Sequence, residues 1–87
     1  MLNRKVIVSD IAKSYENPIG ELVQVACRFS SEITLKYDER KINAKSIMGI
    51  MAVSPHKGME MDILADGADE EYALDAMTQF LMCSKES

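Results

Sequence analysis

Apolar and polar residues follow one another along this chain with two different periods, and the changes of period mark out its elements. Leu2 to Ser9 sets Val6, Ile7 and Val8 after the charged pair Arg4-Lys5, a short β-branched run that predicts a first strand. Asp10 to Asn17 reads as a loop. From Pro18 the period lengthens: Ile19, Leu22, Val23, Ala26 and Phe29 recur at spacings of three and four, which is one face of a helix. Asn17 suits its N-cap and Pro18 its first position, where a missing N–H costs little. Glu32 to Tyr37 returns to alternation, with Ile33, Leu35 and Tyr37 against Glu32, Thr34 and Lys36, and the polar Asp38-Glu39 pair leads back through Arg40 to Asn43 as a hairpin.

Ser46 then heads the short apolar run Ile47, Met48, Gly49, Ile50, Met51, which Pro55 and Gly58 punctuate about two turns later, so a short second helix fits. Met59, Met61, Ile63 and Ala65 alternate with Glu60, Asp62 and Leu64 as a fourth strand, the alternation failing only at Leu64, and Asp66-Gly67 turns the chain. Asp69 is placed to cap a last helix. Its first turn carries Glu70 and Glu71, correctly signed for the helix dipole, and Leu74, Met77 and Leu81 share one face that Ala73 and Phe80 widen. The order β-α-β-β-α-β-α predicts an α+β fold in which three helices cover one face of a four-stranded antiparallel sheet and the other face meets water.

Composition narrows what such a domain does. Residues 1–87 form a single domain, large enough for one core but too small for a core plus a deep enclosed active-site cavity, so a surface function is expected rather than an enzyme. A net charge of −4 gives no electrostatic reason to expect nucleic acid or an anionic membrane as the partner. No apolar run approaches the roughly 18 to 20 residues of a membrane span, and the amino terminus lacks the regions of a signal peptide, so a cytoplasmic protein is expected. Cys27 and Cys83 lie on predicted helices without Cys or His partners at metal spacing, which favours free thiols and implies no metal or organic cofactor.

Charge and apolarity converge at one place. Between Arg40 and Met59 there are four basic residues, Arg40, Lys41, Lys45 and Lys57, and no Asp or Glu. Ser46 sits inside this basic stretch at a helix start, where free N–H groups favour an anion, and a phosphate there would add about −1.5 to −2 charges beside an apolar patch. From the residues alone Ser46 is either a phosphorylation site or simply a helix cap with solvated lysines around it. The four apolar residues after it are likewise either all core or partly exposed, and exposed methionines would suit an adaptable protein-binding surface.

Lys41 to Met51, KINAKSIMGIM, resembles the regulatory-serine segment of HPr, the phosphocarrier family of the sugar phosphotransferase system, in the form found in Gram-positive bacteria. Chain length, element order and the run from Gly58 to Ala73 resemble that family too, so the similarity covers essentially the whole chain and is weakest from Ser9 to Val25. It implies the HPr-like open-faced β-sandwich. It also implies that Ser46 is phosphorylated by a bifunctional ATP-dependent serine kinase and phosphorylase. Ile47, Met48 and Met51 would then belong to a surface that docks on a transcriptional regulator or metabolic enzyme, with Lys45 nearby to pair with the added charge.

In HPr the first loop ends in Gly, Leu, His, Ala, Arg, Pro, and the histidine carries phosphate from enzyme I to enzyme II proteins. The corresponding run here is Lys13-Ser14-Tyr15-Glu16-Asn17-Pro18, in which only the proline is kept. Tyr15 stands at the histidine position. A phenol with a pKa near 10 is almost wholly protonated at neutral pH and is a poor nucleophile, so Tyr15 is expected to be a half-buried aromatic at the mouth of the first helix. Glu16 adds a negative charge where an incoming phosphoryl group needs cations. The resemblance is therefore to histidine-less HPr-like proteins of catabolite repression, although their first loop stays closer to HPr than Ser9 to Gly20 does here. His56, the only histidine, lies in the turn Ser54-Pro55-His56-Lys57-Gly58 and is the one candidate for a relocated phosphoacceptor, against the plainer reading of a solvated turn residue.

Overall fold

The computed structural model describes residues 1–82. Its sheet has four antiparallel strands, β1 (Leu2–Ile7), β2 (Glu32–Tyr37), β3 (Arg40–Asn43) and β4 (Glu60–Asp66), in the spatial order β1-β4-β2-β3. The helices are α1 (Ile11–Ser14), α2 (Pro18–Cys27), α3 (Ile47–Val53) and α4 (Glu70–Met82). All four strands and the three longer helices fall where the hydrophobic period places them. The four-residue α1 is the correction: the segment Asp10 to Asn17 is not purely a loop. Its backbone closes one turn through Tyr15 N–H to the Ile11 carbonyl (3.0 Å), and the turn is held by a single buried side chain, Ile11.

Alternation in the strands becomes two sheet faces. Leu2, Ala65 and Ile33 share one row by register, and Arg4, Ile63, Leu35 and Ile42 share the next. Apart from Arg4 and the half-buried Leu2, these side chains are buried with Val6 and Met61 under the helices, joined by Leu22 and Ala26 of α2, Ile50 of α3 and Leu74, Met77 and Leu81 of α4. Arg4 reaches past the core to Asp75 (2.9 Å) on α4. On the other face, Asp62 lies in register between Lys5 and Lys36, so opposite charges neighbour one another across the strands. Leu64, the one break in the alternation, belongs to this open face between Asn3 and Thr34 and is half-buried there.

Of the caps of α2 and α4, the first matches its expectation and the second does not. Asn17 Oδ1 accepts from the Gly20 N–H (3.3 Å) while its own N–H donates to Glu21 Oε2 (3.1 Å), so two orphan donors at the start of α2 are satisfied. Asp69 does precede α4, but its carboxylate reaches across to the start of β2. It accepts from Ser30 N–H (3.0 Å), Ser31 N–H (2.9 Å) and the buried Ser31 hydroxyl. Those bonds, the Ser31 hydroxyl first, hold the Asp69 carboxyl below its usual value of 3.8. A carboxylate whose pKa is depressed by folding stabilises the fold above its unfolded value and loses that contribution as pH falls through the folded one. Stability should therefore drop as pH falls below about 4, and Asp69→Asn should flatten that dependence in urea titrations between pH 5 and 2. An unchanged slope in Asp69→Asn would contradict this assignment.

Candidate functional site

Ser46 stands where β3 hands over to α3, and the local sequence dictates its geometry. Asn43 shapes the turn, accepting Lys45 N–H at its side-chain oxygen (2.9 Å) and Ser46 N–H at its carbonyl (3.0 Å). Ser46 then adopts an extended conformation as N-cap, its hydroxyl accepting from Gly49 N–H (3.2 Å) and its carbonyl from Ile50 N–H (3.0 Å). Gly49 lets the helix sit close to the sheet, because a Cβ there would lie 2.8 Å from Ile42 Cγ2.

At about 100° per residue, Ile47, Met51 and Met48 fall within one arc of roughly 100° on α3, while Gly49, Ile50 and Val53 occupy the opposite side. Burial follows that phase. Ile50 is fully buried, whereas Ile47, Met51 and Met48 are 47%, 57% and 79% exposed. The reading in which all four are core is therefore excluded, and three large apolar side chains lie together on the surface directly after Ser46. A contiguous exposed apolar arc is unusual on a folded domain and marks an interaction surface more often than a chance exposure.

Lys45 has a hydrogen-bond partner in another segment of the chain. Its ammonium donates to the Phe29 carbonyl (2.8 Å), just past the C-terminus of α2, so it ties α2 to the β3–α3 connection. A cation at the end of a helix satisfies carbonyls that the helix itself leaves free. The bond to Phe29 uses one of the three ammonium N–H donors and leaves two for another acceptor. Nothing in the sequence signals this contact, because Phe29 lies 16 residues away and offers only its backbone.

Tyr15 is half-buried, as expected, and it packs on α4. Its ring stacks on Phe80, with centroids 4.0 Å apart and planes within 5°, and its hydroxyl donates to the Phe80 carbonyl (3.2 Å). A second tie holds the same segment, since Ser9 N–H donates to the Leu81 carbonyl (2.8 Å). Ring and hydroxyl are thus both engaged with the C-terminal half of α4. Phe80 was legible only as a core residue, because no local pattern links two aromatics 65 positions apart.

His56 is exposed in the turn after α3. Its Nδ1 lies 3.0 Å from the Ser54 carbonyl. A carbonyl only accepts, so it is Nδ1 that donates in this contact. The turn is fastened to the segment leading into the first loop by Gly58 N–H to the Val8 carbonyl (2.8 Å). Cys27 is an exposed free thiol, and Cys83 lies outside the described residues. Among the described residues no group of three His, Cys, Asp or Glu side chains is placed to hold a metal ion, and no helix is long and apolar enough to cross a membrane.

Known proteins resemble this chain along nearly its whole length. Residues 2–82 match the family model described as the PTS HPr component phosphorylation site. The chain is 37% identical over 81 residues to the HPr-like protein Crh of Bacillus subtilis (strain 168), covering 93% of this chain and 95% of that protein. It is 40% identical over 77 residues to the phosphocarrier protein HPr of Treponema pallidum (strain Nichols), covering 88% of each. Its fold superimposes on the crystal structure of a phosphocarrier protein HPr from Bacillus anthracis str. Ames with a TM-score of 0.86, at 34% identity over 93% of this chain and 96% of that one.

Proposed function

This chain belongs to the HPr family of the phosphotransferase system, and from that membership we propose that it is a regulatory member which receives phosphate at Ser46 and does not carry it on a histidine. The observation that carries the reading is the pairing of Ser46, as N-cap of α3, with the exposed arc of Ile47, Met48 and Met51. A phosphate there adds charge next to an apolar docking surface, which changes the partners that surface accepts without refolding the domain. The partner would be a transcriptional regulator or metabolic enzyme, recognised through that arc, in the manner of catabolite repression.

Tyr15 supports the negative half of the proposal. Its phenol is a poor nucleophile near neutral pH, and its hydroxyl and ring are already engaged with Phe80. The neighbouring Glu16 and Asn17 supply no cation to a phosphoryl group.

The test is incubation with an HPr-type serine kinase and ATP. One acid-stable phosphate should appear, and Ser46→Ala should remove it while costing only about 0.5–2 kcal/mol of stability through the lost cap, checked by urea unfolding. A wild-type chain that incorporates no phosphate would overturn the regulatory reading. An equal incorporation in Ser46→Ala would move the site elsewhere.

A further inference from the structure

The methionines of this chain divide sharply by exposure, and two of the four exposed ones lie on the α3 arc. Met59, Met61 and Met77 are 5%, 1% and 0% exposed and belong to the core, whereas Met48 and Met51 stand on the outward arc of α3, three residues apart and therefore on adjacent turns of one face. Met1 and Met82 are also exposed, at the first residue and at the end of α4, away from the α3 arc.

We propose that Met48 and Met51 form a paired, reversible oxidation site through which a hydroperoxide converts the exposed face of α3 from apolar to polar. Its regulatory meaning rests on the reading of that face as a docking surface. The chemistry itself does not.

The step is a two-electron oxygen transfer. A thioether lone pair attacks the outer peroxide oxygen, the O–O bond breaks, sulfur gains the oxygen as a sulfoxide, and the remaining oxygen leaves as water or alcohol after taking up a proton. The peroxide is reduced as the sulfur is oxidised. Methionine sulfoxide reductases reverse the change with thiol reductant, one enzyme for each sulfoxide epimer. Attack requires access to sulfur, which the core methionines lack. The product carries a strongly polar S–O group, so an apolar partner surface would have to desolvate it without a compensating hydrogen bond. Ile47 is then the only large apolar side chain of the arc that stays unmodified.

The experiment treats the full chain with graded hydrogen peroxide, maps sulfoxides by peptide mass spectrometry, and follows the apolar surface by fluorescence of the probe bis-ANS. Met48 and Met51 should oxidise at least about tenfold faster than Met59, Met61 and Met77, because rates follow exposure. Probe fluorescence should fall as they oxidise and return after treatment with both sulfoxide reductases. In Met48→Leu/Met51→Leu, which keeps the arc apolar, peroxide should leave probe fluorescence unchanged although Met1 and Met82 still oxidise. Comparable rates at exposed and core methionines, or a fluorescence loss that persists in the double variant, would overturn the proposal. A chain that shows the expected oxidation but is never phosphorylated on Ser46 would sink the regulatory reading and leave the oxidation site standing.

Discussion

Ile50→Ala should lower stability by about 2–5 kcal/mol, while Met48→Ala and Met51→Ala, one turn or less away on the same helix, should each stay within about 0.5–1 kcal/mol of the parent. Ile50 is fully buried with Ile42 and Ala44 beneath α3, and its backbone N–H and carbonyl both lie in the helix ladder, bonded to Ser46 and Ser54. Truncation there leaves a cavity that Gly49, already close to Ile42, cannot fill by moving inward. Met48 and Met51 project into solvent, so their removal costs little folding energy. Urea unfolding of the three variants reads the difference directly. A large loss in Met48→Ala or Met51→Ala would mean that the arc is part of the core and not a docking surface.

Gly67→Ala should be comparably severe, with a loss of about 3 kcal/mol, at the upper end of what overpacking costs. A Cβ at Gly67 would lie 2.7 Å from Ser31 Cα and 2.9 Å from its Cβ, contacts that a side-chain rotation cannot relieve because one of them is backbone. Ser31 is buried and held by Asp69 through both its N–H and its hydroxyl. Relief therefore means separating the start of β2 from the turn that leads into α4, which also breaks the Asp69 bonds. The combination Gly67→Ala/Asp69→Asn should then cost less than the two changes added together, since the first already removes what the second would. Strict additivity in thermal or urea unfolding would contradict a shared corner.

These two positions differ in how far the sequence exposes them. The role of Ile50 is visible in outline, because a short apolar helix that docks by one side must bury some positions and leave others outward, and helical phase sorts them. The close approach at Gly67 is not visible, because it depends on Ser31, brought near by the long-range pairing of β2 with β4. The same distinction runs through the molecule. Strand faces and the core stripe of α4 follow from periods of two and 3.6 residues, and the Asn17-Pro18 start of α2 from local capping chemistry. By contrast, α1 rests on one buried isoleucine and leaves no periodic trace. The destinations of the Asp69 carboxylate, the Lys45 ammonium and the Tyr15 ring are each set by partners 16 to 65 residues away. Polar side chains near a helix end have several hydrogen-bond partners within reach, and only tertiary packing selects among them.

That selection bears on the site itself. Ser46 and its apolar neighbours are local, since they lie on one short helix and were readable together. The anchoring of Lys45 is not local, because its ammonium donates to the Phe29 carbonyl 16 residues back. A phosphate on Ser46 would add a charge beside the apolar arc, and the Lys45 ammonium held at Phe29 keeps two further N–H donors.

Phosphorus-31 NMR of the chain supplied with both phosphoryl donors, enzyme I with phosphoenolpyruvate and an HPr-type serine kinase with ATP, tests the central claim most directly. One phosphoserine resonance, lost in Ser46→Ala, and no phosphoramidate on this chain are expected. A phosphoramidate resonance lost in His56→Ala, or no phosphate on Ser46, would contradict that claim.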